Sequence, residues 1–284
     1  MNRRPEPRSS YKLSLKENIP PNRPARTRGW LSVLVGLAVV ATVALPSGFA
    51  LATTIAPSGL HAEAFAQSSS SAYNWAGYAA TGSTGSVTSV TSSWTQPAVT
   101  CSKGTSLTAF WLGIDGYSSS TVEQDGTLAQ CSHGTATYYS WWETYPANAV
   151  QTWATIKAGD SFTASVTYSS TAGTFTMALK DTTSGVSWSK TSANSGASEN
   201  SAECIAERPA GASNSSGLYA LSKFGTATFS TCAATISGTT GGIGTFGTVT
   251  AITMVSYPSG SRTLATVSSL TSNTKFTVTW KHAS

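Results

Sequence analysis

An all-β fold, a sandwich of antiparallel strands, is what the sequence predicts, and three observations carry the prediction. From residue 53 to 284 there are 82 Ser and Thr among 232 residues, with only 19 charged side chains, and no long stretch repeats at helical period. Apolar residues recur at period two instead, in Phe162-Ala164-Val166-Tyr168, Phe175-Met177-Leu179 and Phe276-Val278-Trp280. Each run sets one hydrophobic face against a polar one. Clusters of turn residues at Thr81–Gly85, Ala172-Gly173, Thr239–Gly244 and Ser259-Gly260 punctuate the runs at distances that suit antiparallel strands.

The amino-terminal segment has a different character. Residues 1–52 hold eight basic residues (Arg3, Arg4, Arg8, Lys12, Lys16, Arg23, Arg26, Arg28) and two acids, Glu6 and Glu17. The remaining nine basic and ten acidic residues leave 53–284 at a net −1. The basic pI of about 9.0 therefore belongs to the leader. A nucleic-acid partner, which requires clustered Lys and Arg on the folded part, is excluded from the expectations. Trp30 to Leu45 is almost free of polar residues and is followed by Pro46, Gly48 and Ala50-Leu51-Ala52. A basic start, an apolar core and a small-residue exit are the parts of a secretory signal. Its 16 apolar-run residues fall short of the roughly 20 that a spanning helix needs, so export is favoured over an uncleaved anchor. Residues 53–72 read as a propeptide or linker without a strand pattern, and 73–284 as one domain.

Four cysteines, Cys101, Cys131, Cys204 and Cys232, lie in the exported part. An oxidising compartment makes them a disulfide framework with three conceivable pairings. Cys101–Cys131 and Cys204–Cys232, each linking segments about 28–30 residues apart, are favoured. No CxxC spacing occurs and the only histidines are His61, His133 and His282, so neither a metal site nor a Ser-His-Asp triad is expected. No cofactor is expected either.

Acid–base chemistry then falls to carboxylates and amides, which form three clusters. Trp111-Leu112-Gly113-Ile114-Asp115-Gly116 and Val122-Glu123-Gln124-Asp125-Gly126 read as two strands, each closing in a turn. The plain alternative there is that Asp115 and Asp125 make side-chain turns. Along Tyr139-Ser140-Trp141-Trp142-Glu143-Thr144-Tyr145, a strand puts Tyr139, Trp141, Glu143 and Tyr145 on one face. An aromatic-walled groove for an extended ligand explains that row better than packing alone, because a buried Glu is costly. Along Ser201–Pro209, Glu203, Ile205 and Glu207 point one way and Cys204, Ala206 and Arg208 the other. Two carboxyls on one strand face can raise each other's pKa. An exposed edge strand with a Glu207 salt bridge is the competing reading.

Taken together, NWAGY (74–78), FWLGIDG (110–116), VEQDGT (122–127), YYSWWETYP (138–146), SAECIAERP (201–209) and FTVTW (276–280) resemble the glutamic peptidases of the G1 family, the eqolisins, in a bacterial-type member. The motifs run in the family's order across nearly all of 73–281. The resemblance implies a lectin-like β-sandwich of two antiparallel sheets, with Gln124 and Glu203 as the catalytic pair. It implies supporting and substrate-binding roles for Trp75, Trp111, Asp115, Tyr139, Trp141, Glu143 and Tyr145. Two positions depart from the pattern: Cys204 stands where the family usually has Trp, and Leu128 where it usually has a carboxylate. The expected protein is a secreted, acid-active endopeptidase acting on polypeptides as a monomer, with no stable membrane association once the signal is removed. A sugar-active protein using Glu143 and Glu203, or a binding module using the aromatic groove, are the alternatives.

Overall fold

The computed structural model describes residues 66–68 and 71–284. The expected leader, with its apolar run at 30–45, lies outside the described residues. In chain order the strands are β1 (Ala66–Ser68), β2 (Ser71–Ala72), β3 (Trp75–Thr81), β4 (Val87–Thr95), β5 (Ser106–Ile114) and β6 (Val122–Ser132). They continue with β7 (Thr135–Tyr145), β8 (Asn148–Thr155), β9 (Ser161–Ser169), β10 (Thr174–Asp181), β11 (Ser187–Ser192) and β12 (Ser201–Glu207). The last are β13 (Ala220–Leu221), β14 (Thr226–Ile236), β15 (Thr239–Gly242), β16 (Val249–Val255), β17 (Thr263–Val267) and β18 (Phe276–Trp280). The only helical turn among the described residues is Ile243–Thr245.

These strands make two antiparallel sheets. One runs β16-β3-β12-β5-β6-β7-β8. The other runs β11-β10-β9-β4-β14-β18-β17-β16. Strand β16 serves both, pairing through Val249–Ile252 with β3 and through Met254 and Val255 with β17, so the sheets join along one edge. All-β character and antiparallel sandwich packing are as the sequence predicts.

The second sheet alternates as period two demands. Phe162, Val166, Phe175, Met177, Leu179, Phe229, Phe276 and Val278 are buried, while their Ser, Thr and Lys neighbours face out. The first sheet is different. Strands β3, β5, β6 and β12 are buried along almost their whole length, on both faces. Ala76, Tyr78, Phe110, Leu112, Ile114, Cys204 and Ala206 fill the space between the sheets. Trp75, Ala79, Leu107, Trp111, Leu128, Tyr139, Trp141 and Ile205 form a second apolar cluster on the opposite face, against which Tyr117, Val150 and Tyr219 pack. Trp94 Nε1 donates to Thr127 Oγ1 across the sandwich at 2.9 Å.

The disulfides Cys101–Cys131 and Cys204–Cys232 form the two pairs that spacing favoured. The second ties β12 to β14 in the facing sheet. By loop entropy it contributes about 3–4 kcal/mol.

Four readings from sequence need correction. Gln124-Asp125-Gly126 does not close a strand, since β6 runs straight through it to Ser132. Gly126 sits mid-strand because a Cβ there would stand 2.3 Å from the Phe110 carbonyl oxygen. Asp125 makes no turn either; it is buried between the sheets. Strand β12 is central and buried, not an exposed edge. The stretch before residue 73, read as lacking strands, contributes β1 and β2, and β2 adds in parallel to β16 through backbone bonds that need no side-chain pattern.

Candidate active site

Register decides what meets on the outer face of the first sheet. At one level across the strands it aligns Ala79, Glu203, Gly113, Gln124 and Glu143. Directly opposed residues share a face, so three of the predicted residues from β12, β6 and β7 point the same way. The next level holds Gly77, Ile205, Trp111, Gly126 and Trp141. The one after holds Trp75, Glu207, Ala109, Leu128 and Tyr139.

Glu203 and Gln124 stand on strands two spacings apart, about 10 Å between backbones, and the residue between them is Gly113. Gly113 therefore puts no side chain between the two, and the Trp111 ring edge borders the space above its backbone. Both carboxyl oxygens of Glu203 and Oε1 of Gln124 are buried without a hydrogen-bond partner. Gln124 Nε2 donates to Glu143 Oε2 at 2.6 Å, which turns the amide so that its oxygen is left available. Trp141 Nε1 is a further buried donor without an acceptor. Unsatisfied buried groups are costly, and a face that gathers several of them is a face built for a polar ligand.

Burial raises the Glu203 carboxyl well above its ordinary 4.5. The nearby Ser201 hydroxyl and Tyr117 N–H oppose the rise, while the charges of Asp115 and Glu123 add to it. With the site closed, Glu203 thus holds its proton more tightly than a free carboxyl does. Glu207 is pushed up to about 8, chiefly by burial, with Trp111 as the main opposing donor and Glu143 as a like charge.

Asp115 does not face this row. It sits in the turn after β5 at φ 69° and accepts hydrogen bonds from the N–H groups of Ser198 (2.7 Å), Glu199 (2.9 Å) and Asn200 (2.9 Å), and from Thr121 Oγ1 (3.3 Å). It anchors the segment that leads into β12. Trp75 and Trp111 pack edge to face, with ring centroids 5.0 Å apart. Tyr145, half-buried at the end of β7, borders a recess with Ser120, Thr121, Pro146, Ala193 and Asn194. Leu128 is buried two levels from Gln124 and belongs to the apolar cluster, and the Gln124 amide is bonded to Glu143 instead.

Glu143 and Glu203 lie three strands apart with Gln124 between them, which does not suit the closely spaced carboxyl pair of a retaining glycosidase. Among the described residues no cluster of three or more His, Cys, Asp or Glu could hold a metal ion. Sequence reading missed Gly113, which stands between the pair, and Asn194, whose Nδ2 donates to Glu123 Oε1 at 2.5 Å on the inner side of β6. Only the pairing of distant strands reveals either.

The described residues thus form a β-sandwich of two antiparallel sheets that aligns acid and amide side chains on one buried face. Residues 73–280 match the family model described as the Peptidase A4 family, and the chain belongs to that family and is a peptide hydrolase. Among solved structures it is similar to scytalidoglutamic peptidase bound to a peptide-based transition-state analogue, at 22% identity and TM-score 0.61 over 74% of this chain and 98% of that one. It is similar to SCP-B, an eqolisin in complex with the tripeptide Ala-Ile-His, at 21% identity and TM-score 0.59 over 74% and 98%. Aspergilloglutamic peptidase from Aspergillus niger matches at 28% identity and TM-score 0.51 over 62% and 99%. No curated protein matches the chain.

Proposed function

We propose that this chain is a secreted, acid-active endopeptidase in which Glu203 and Gln124 activate water against a peptide carbonyl. The observation that carries the reading is their placement on either side of Gly113 with free buried oxygens. Substrate and water must open the face, and solvation then returns Glu203 to the ordinary carboxylate range. As carboxylate, Glu203 takes a proton from the water held between it and Gln124 Oε1, and the water oxygen bonds to the scissile carbon. Gln124 Nε2 keeps one N–H on Glu143 and offers the other to the developing oxyanion, a contribution of about 3 kcal/mol. Glu203 then delivers the proton to the leaving nitrogen as the C–N bond breaks. Trp141 Nε1 and the aromatic wall of Tyr139 and Tyr145 suit the backbone carbonyls and side chains of an extended polypeptide.

Two disulfides fit an oxidising destination. Among the described residues no helix is long and apolar enough to cross a membrane. The proposal includes removal of 1–52 as an export signal and of 53–72 as a propeptide. Digestion of denatured casein across acidic pH by wild type, Glu203→Gln and Gln124→Ala tests the mechanism. Wild type is expected to cleave best in acid and both variants to lose activity by about 100-fold or more. Full activity in Glu203→Gln, or an optimum at neutral pH, overturns it.

A further inference from the structure

We propose that Glu207 is a positioning residue of the peptidase site, holding the Trp111 indole that shapes the floor between Glu203 and Gln124. This rests on the reading of Glu203 and Gln124 as the reacting pair.

Glu207 and Trp111 occupy neighbouring levels on the same face of adjacent strands. Trp111 Nε1 donates to Glu207 Oε2 at 2.8 Å, and Asn74 Nδ2 approaches Oε1 at 3.4 Å. Trp111 is fully buried and Glu207 is 2% exposed, so water cannot replace either bond. The opposite edge of the indole reaches the reacting level: Trp111 Cζ3 lies 3.2 Å from where a Cβ on Gly113 would stand. One end of the ring is thus tied to Glu207 and the other borders the gap in which water and the scissile carbonyl must sit. Trp75 packs edge to face on the indole, at an interplanar angle of 76°, and limits sliding. Rotation of the ring in its own plane is opposed by the bond to Glu207. If that bond is lost, Cζ3 can swing toward or away from Gly113, and displacements of about 1 Å at a reacting centre can cost about 100-fold in rate.

The acceptor, not the charge, is what the role needs. Burial keeps the carboxyl protonated up to about pH 8, so throughout the acid range it presents Trp111 with a neutral oxygen. An amide does the same. Glu207→Gln can turn its oxygen to Trp111 and its NH2 to Asn74, whose own amide can invert. Glu207→Leu keeps the bulk and offers no acceptor.

The test compares wild type, Glu207→Gln and Glu207→Leu by kcat and KM on a peptide substrate in acid, and by the Trp111 indole N–H signal in 1H–15N spectra. Glu207→Leu is expected to lose about tenfold or more in kcat with KM little changed, and to shift the indole signal. Glu207→Gln is expected to restore both. Should Glu207→Leu fail to fold, Glu207→Met, which is unbranched like Glu and offers no oxygen acceptor to the Trp111 N–H, must show the same kcat loss. A kcat within twofold of wild type in Glu207→Leu, or equal impairment in Glu207→Gln, overturns the proposal while leaving the peptidase reading standing. A wild-type chain that cleaves nothing in acid overturns the peptidase reading, and this role with it.

Discussion

Glu123→Gln should flatten the pH dependence of stability. Glu123 lies on the inner side of β6 without solvent exposure, and its carboxyl is raised from 4.5 to about 9. Burial is the main cause, the charges of Asp115 and Glu199 add to it, and the Asn194 bond opposes it. Because the folded value is raised, the folded state keeps a proton that the unfolded chain releases above pH 4.5. The stabilisation is complete in acid and is lost as pH climbs from about 4.5 toward 9. Each pH unit costs about 1.4 kcal/mol, so from 4.5 to 7 the loss through Glu123 is about 3 kcal/mol. Glu207, raised to about 8, loses a similar amount over the same interval. Asp125, with both carboxyl oxygens buried and unpartnered, is shifted in the same direction. The sum rivals the whole stability of an ordinary domain, about 5–15 kcal/mol. Urea unfolding at pH 4 and pH 7 measures it. Wild type should be several kcal/mol less stable at pH 7. Glu123→Gln, which keeps an acceptor for Asn194, should match wild type at pH 4 and recover about 3 kcal/mol at pH 7. Parallel pH curves for the two proteins, or a wild type more stable at pH 7, would refute the reasoning.

Other substitutions probe the same architecture. Gly113→Ala places a methyl group 3.0 Å from Gln124 Cβ, 3.1 Å from the Glu123 carbonyl oxygen and 3.2 Å from Trp111 Cζ3, between Glu203 and Gln124, the pair proposed to react. It should cut kcat by about 100-fold while destabilising by only about 1–3 kcal/mol, which kinetics and thermal melting together resolve. Asp115→Ala strands the Ser198, Glu199 and Asn200 N–H groups at the approach to β12. A loss of about 3 kcal/mol or more, seen as a fall of about 10 °C in Tm, is expected, and an unchanged Tm would show that the turn does not anchor that strand.

The second sheet was legible in the sequence because its strands bury one face and wet the other. Phe162, Val166, Phe175, Met177 and Leu179 announce themselves at period two. The sheet that carries the site was harder to read for a physical reason. When both faces are buried, alternation disappears, and Gln124-Asp125-Gly126 in mid-strand looks like a turn. Glu123 and Asp125 also mislead, since polar residues inside a core contradict the pattern by which cores are recognised.

Local sequence determined composition, strand character and which side chains of one strand share a face, and it favoured the two cysteine pairs that the structure then formed. It placed Glu203 with Glu207 and Glu143 with Trp141, because a strand's period of two needs no partner to be known. Tertiary structure alone decided that Glu203, Gly113, Gln124 and Glu143 stand at one level. Their alignment depends on the register of four strands whose residues are as much as 90 positions apart in the chain. Register is set by the packing of whole faces, and a slip of one residue would turn every one of these side chains to the other side of the sheet.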